Sequence, residues 1–313
     1  MNKFTFSFST LLGLIICVWA VTFLSAQTSP SGGIPVHTVV TVEARHGSNP
    51  PAVNREDVMV TEGHDRDPVT EWVPAQGDHA ALEFFILIDD SSNATLGTQL
   101  DDLRKFIDGQ PATAKIGIAY IQNGMALIVQ NLTSDHEQAA KSLRLPLGRG
   151  SGEASPYFSL SDPVKRWPAS SARREVLMVS NGIDLYYGQA DLLDPYLDAA
   201  IHDAERGGIV VSAIYTPAAG HLGHSYWLDY WGQLYLAQLA EKTGGESYYI
   251  GFTGAPVTFV PYLEDVAQRL NHQYFLTFLA KPPKKSGFQR VKIRTEVSNA
   301  DLVGPAEVWV PAN

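Results

Sequence analysis

Four apolar runs constrain this chain more than any other feature. Residues 82–88, 116–121, 175–179 and 209–215 are too uniformly hydrophobic for strands with one wet face. Strands that read this way are buried on both faces, so the sheet needs helices above and below. Residues 98–107, 136–145, 192–205, 231–242 and 262–272 supply them, with apolar positions at helical spacing. Residues 125–132 read as a further buried strand and 247–250 as a short last one. A Gly/Ser loop, 148–155, leads into a short helix ending near Trp167. Gly207-Gly208 and Gly244-Gly245 stop two of the helices. Strands alternating with helices at this spacing predict a doubly wound, mostly parallel α/β sheet with helices on both faces. Such sheets bind ligands at the carboxyl ends of their central strands, at the switch point of the strand order.

The flanks have a different texture. Residues 37–46, 57–62 and 69–74 are β-like, separated by Pro and Gly, with no helical period. After Gln273 the chain is β-like again at 274–279, 291–297 and 307–310. The domain reading is therefore 28–79 as linker and N-terminal β segment, 80–273 as the α/β domain, and 274–313 as a C-terminal β segment. The two β segments are expected to pack together as one accessory module.

Residues 1–27 have the layout of a secretory signal peptide: Lys3, an apolar run at 9–24, and an expected cut after Ala26. An uncleaved anchor is the alternative, because Leu24 stands where a small residue is usual. The one cysteine, Cys17, lies inside the apolar run, so disulfides, thiol chemistry and cysteine-based zinc sites are excluded beyond it. A length of 313 residues permits a self-sufficient core. The net charge of −10 disfavours nucleic acid and anionic lipid as partners.

The segment Asp89-Asp90-Ser91-Ser92-Asn93 ends the first core run. Asp89, Ser91 and Asn93 offer hard oxygens at alternate positions, which suits Mg²⁺, Mn²⁺ or Ca²⁺. The plainer reading is that Ser92 or Asn93 caps the following turn. In the stretch 221–231, which follows a core strand and reads as a loop, His221, His224, Tyr226 and Trp227 are candidate partner contacts. Trp231 and Tyr235 read as core. His221 and His224 have no nearby Cys or Glu to complete a zinc set.

The Asp-x-Ser-x-Asn pattern after a buried strand resembles the first loop of the metal-ion-dependent adhesion site of von Willebrand factor A (VWA) domains. Arg174-Glu175-Val176-Leu177-Met178-Val179-Ser180-Asn181-Gly182 resembles the family's later strand, which usually ends in Asp-Gly. Leu239-Ala240-Glu241-Lys242-Thr243-Gly244-Gly245 resembles its final helix-to-strand turn. With the flanking β segments, the whole is similar to bacterial VWA-related exported proteins. The resemblance implies a metal set of Asp89, Ser91, Asn93, Ser155 (by position, for the second-loop Thr) and Asn181. It also departs from the pattern. Asn93 replaces a Ser and Asn181 an Asp, which removes a carboxylate from a site whose affinity follows charge. Asp90 or Asp184 are the available substitutes.

The function implied is a non-catalytic, extracytoplasmic protein-interaction module, periplasmic or secreted, with a protein partner or a glycan and possible help from a divalent ion. A structural subunit of an envelope assembly with a dead site is the alternative, and an unrecognised hydrolase the third. Enzyme motifs are poor: Gly150-Ser151-Gly152 is not a nucleophile elbow, and no phosphate-binding lysine loop is present.

Overall fold

A computed structural model describes residues 32–148, 155–187, 193–249 and 257–312. The signal-like segment 1–27, the start of the linker and most of the 148–155 loop lie outside the described residues.

Four strands come first: β1 (Ile34–Ala44), β2 (Val58–Glu62), β3 (Asp65–Asp67) and β4 (Val69–Pro74). The α/β unit follows with β5 (Leu82–Asp89), α1 (Leu100–Asp108), β6 (Ala114–Gln122), β7 (Met125–Thr133), α2 (His136–Lys141) and α3 (Pro156–Arg166). It continues through β8 (Arg173–Ser180), α4 (Pro195–Gly207), β9 (Ile209–Tyr215), α5 (Tyr226–Thr243), β10 (Ser247–Tyr248) and α6 (Val260–Asn271). The chain closes with β11 (Gln273–Ala280), β12 (Gly287–Thr295), β13 (Ala300–Val303) and β14 (Glu307–Val310).

The central sheet has the order β10-β9-β8-β5-β6-β7. Counted along the chain this is the 3-2-1-4-5-6 pattern of doubly wound sheets, with its switch point between β5 and β8. All its pairings are parallel except β6 with β7. Alternation along β5 serves two cores at once. Phe84, Ile86 and Ile88 pack with apolar residues of α1, α2 and α6, while Phe85 and Leu87 pack with those of α3, α4 and α5. That is why the run at 82–88 has no polar face.

β7 corrects one expectation. It is the antiparallel edge of the sheet, and Met125, Leu127 and Val129 are exposed rather than buried. The signal was in the turn: Asn123-Gly124 take φ values of 48° and 75°. Two consecutive positive-φ residues of this type make the tight hairpin turn that matches strand twist. A hairpin returns the chain antiparallel beside β6, at the edge of the sheet, where Met125, Leu127 and Val129 stay exposed.

The flanking strands close on one another as an antiparallel sandwich. One sheet runs β13-β1-β11-β4 and the other β14-β12-β2-β3. Val40, Val60, Leu276, Phe278 and Val310 are buried between them. β1 begins at Ile34, so the last part of the expected linker is strand. Lys242 O at the end of α5 accepts from Ala306 N at 2.8 Å, which ties the sandwich to the α/β unit. Among the described residues, no helix is long and apolar enough to cross a membrane.

Gly124→Ala places a Cβ at φ 75° in the hairpin turn. It should lower unfolding stability by about 1 kcal/mol, read from the urea midpoint at unchanged slope.

Candidate functional site at the switch point

β5 ends by carrying Asp89 to the carboxyl edge of the sheet, where the residue is 1 % exposed. An ionised carboxylate in such a place is strongly disfavoured unless donors surround it. Four do. Asp89 Oδ1 accepts from Ser91 N at 2.9 Å and Ser91 Oγ at 2.7 Å. Asp89 Oδ2 accepts from Ser180 Oγ at 2.7 Å and Asn181 Nδ2 at 3.1 Å. Burial still pushes the Asp89 carboxyl above its ordinary range, against the pull of the Ser91 and Ser180 donors. Ser180 and Asn181 arrive because β8 is the parallel neighbour of β5 across the switch point.

The orientation of the Asn181 amide is set by its own backbone. Asn181 Oδ1 accepts from Ile183 N at 2.9 Å, which turns Nδ2 toward Asp89. From there Nδ2 also donates to Ser91 Oγ at 2.9 Å. Helix α5 presses on the same loop: a Cβ at Gly232 would lie 2.1 Å from Asn181 O.

These residues do not fit a hard divalent ion. Such an ion requires converging oxygens, whereas Asn181 presents N–H groups to both Asp89 and Ser91. The amide bridges the two oxygens that a cation would have to share. Asn93 and Ser155, expected in the same set, are engaged elsewhere. Asn93 Oδ1 accepts from Thr95 N at 3.0 Å, the capping role of the plainer reading. Ser155 Oγ accepts from Tyr157 N at 3.2 Å and caps α3.

Neither Asp90 nor Asp184, the carboxylates expected to serve as substitutes, joins Asp89. Asp90 turns away from Asp89 into a two-pronged pair with Arg144, at 2.6 Å (Nη1–Oδ1) and 2.7 Å (Nη2–Oδ2). The guanidinium lies 3.7 Å over the Tyr120 ring, and Gln122 Nε2 donates to Asp90 Oδ2. Burial opposes ionisation of Asp90, yet Arg144 and Gln122 together hold its carboxyl below the usual value. Asp184 Oδ1 accepts from Tyr186 N at 2.8 Å, and burial pushes its carboxyl up.

The aromatic stretch is helix rather than loop at Tyr226 and Trp227. Ser225 Oγ accepts from Leu228 N at 3.4 Å, so α5 starts at Tyr226 and only Gly220–His224 forms a separate short turn. That turn holds His221 and His224, and His224 is exposed. Tyr226, Trp227 and Tyr230 are 59 %, 54 % and 42 % exposed. Tyr235 is buried and Trp231 packs partly against the core. The segment leading to them is bonded to the Asp89 loop, through Ala219 N to Ser91 O at 2.8 Å and Asn93 N to Pro217 O at 2.8 Å. The aromatic cluster and the switch-point loops therefore share one face. Sequence reasoning missed Ser180, Arg144 and Tyr230. Ser180 and Tyr230 lay inside quoted segments, whereas Arg144 carried no signal of its distant partner.

No protein-family model matches the chain, and no curated protein matches it. Solved structures do resemble it. An aerotolerance-related membrane protein from Bacteroides fragilis is 15 % identical, covering 61 % of this chain and 99 % of that one, at TM-score 0.41. The SpRpn10 VWA domain is 14 % identical, covering 56 % and 92 %, at TM-score 0.37. The pilus adhesin SpaC from Lactobacillus rhamnosus GG, in an open conformation, is 9 % identical, covering 80 % and 47 %, at TM-score 0.43. Likenesses this remote concern the fold alone. By its own strand order, the α/β unit is a doubly wound, mostly parallel sheet with helices on both faces.

Arg144→Ala strands Asp90 as a buried charge and should cost about 3 kcal/mol of stability at neutral pH. The loss should narrow as the pH falls toward about 4, where protonation relieves Asp90. Denaturant unfolding at several pH values checks both statements.

Proposed function

We propose that this chain is an exported, non-catalytic protein-interaction module that binds its partner through the carboxyl face of the α/β sheet, without a bridging ion at Asp89. The observation that carries this reading is the exposed trio Tyr226, Trp227 and Tyr230, set on a face whose underlying loops are internally bonded. Tyr and Trp combine large contact area with few rotatable bonds and a polar edge, the properties of binding anchors. A rigid base matters as well, because ordering a mobile surface subtracts from affinity.

The polar groups beneath the trio act as that base. Ser91 and Ser180 donate their hydroxyl protons to Asp89, so neither is presented as a nucleophile. The Asn181 amide locks both loops at once. Residues 1–27 are the export signal in this reading, and the acidic surface favours a protein or glycan over nucleic acid or anionic lipid.

A photo-crosslinking amino acid at position 227, in the cells that make the protein, tests the face. One discrete protein adduct is expected, absent when the crosslinker stands at Lys105 on α1 and lost with Tyr226→Ala plus Tyr230→Ala. No adduct at 227, or equal adducts at both positions, contradicts the reading. The processed N-terminus of the same material should be Gln27.

A further inference from the structure

A second group of ligand-type side chains lies toward the opposite end of the sheet, where α4 meets β14. His202 and Glu205 are three residues apart on α4 and so share one helix face. Glu307 opens β14. One ring nitrogen and one oxygen from each carboxylate lie within 4.8 Å of one another. His202 Nε2 is 3.8 Å from Glu307 Oε2, and Glu307 N donates to Glu205 Oε1 at 3.1 Å. The imidazole is held in place by stacking on Phe288, with ring centroids 4.3 Å apart and planes 18° from parallel.

What points to a ligand is Glu205. Its side chain belongs to a residue only 7 % exposed, and its Oε2 is buried with no hydrogen-bond donor. Arg290 Nε sits 3.0 Å from Glu307 Oε1, but that side chain is 90 % exposed, and a surface pair of this kind contributes little. Among the described residues no ion pair reaches Glu205.

We propose that His202, Glu205 and Glu307 bind a divalent transition-metal ion of the zinc class. An imidazole and two carboxylates are a ligand set this ion favours, with water in the fourth position. A cavity of about 480 Å³ lined by Glu205, Arg206 and Trp309 adjoins the group and leaves room for that water. The bound ion would give the buried Oε2 of Glu205 a partner and fasten the sandwich to α4. The site is independent of the switch-point face, and neither reading needs the other.

Calorimetric titration of the chelator-stripped protein with Zn²⁺ tests the site, beside His202→Ala and Glu205→Gln. His202 is partly exposed and Gln keeps an oxygen for Glu307 N, so both variants should fold, which circular dichroism checks. One saturable site is expected, weakened by each substitution at least about tenfold. Zn²⁺ should raise the melting temperature of the wild type and not of the variants. No saturable binding, or equal affinity in all three proteins, overturns the proposal.

Discussion

Everything at the switch point depends on how one buried carboxylate is satisfied. Asp89 sits where an uncovered charge would oppose folding, at the end of the strand that both cores share. Its four donors come from two places, the loop after β5 and the end of β8 where it opens into its own loop. Satisfying Asp89 thus fixes the relative position of those loops. The loop after β9 is added by backbone bonds to Ser91 O and from Asn93 N. Helix α5 then lies against Asn181 with no space for a side chain at Gly232. The exposed Tyr226, Trp227 and Tyr230 inherit their position from this chain of contacts.

An amide rather than a carboxylate at position 181 decides the chemistry of the site as well as its charge. A carboxylate there would face Asp89 and require a cation between them. The amide supplies N–H groups in that space and makes the arrangement self-sufficient. Asp90, the neighbouring acid, is committed to Arg144 and unavailable to rebuild the charge. The buried Oε2 of Glu205 has no such internal donor, which is why the two places invite opposite conclusions about metal.

Much of the architecture was legible because burial on both faces leaves an unmistakable text. The runs ending at Ile88, Val179 and Tyr215 are central strands, and Gly208, in the left-handed conformation, ends α4 as its position implied. β7 was misread because its apolar residues were taken as buried, while Asn123-Gly124 stated the hairpin directly. Asp89, Ser91 and Asn181 do meet. Asn93 and Ser155 do not join them, because a short polar side chain before a helix caps it at little cost. Arg144 was invisible for a different reason: its partner lies 54 positions away, and only the fold brings them together.

The most direct test compares thermal unfolding of the protein and of Asn181→Asp, with and without millimolar Mg²⁺, both carrying His202→Ala to silence the other site. The parent should melt at the same temperature in either condition. Asn181→Asp should melt lower in chelator and recover with Mg²⁺, since a second carboxylate beside Asp89 creates the need for an ion. A saturable rise in the parent's melting temperature with Mg²⁺ would contradict the claim that the Asn181 amide already completes the site.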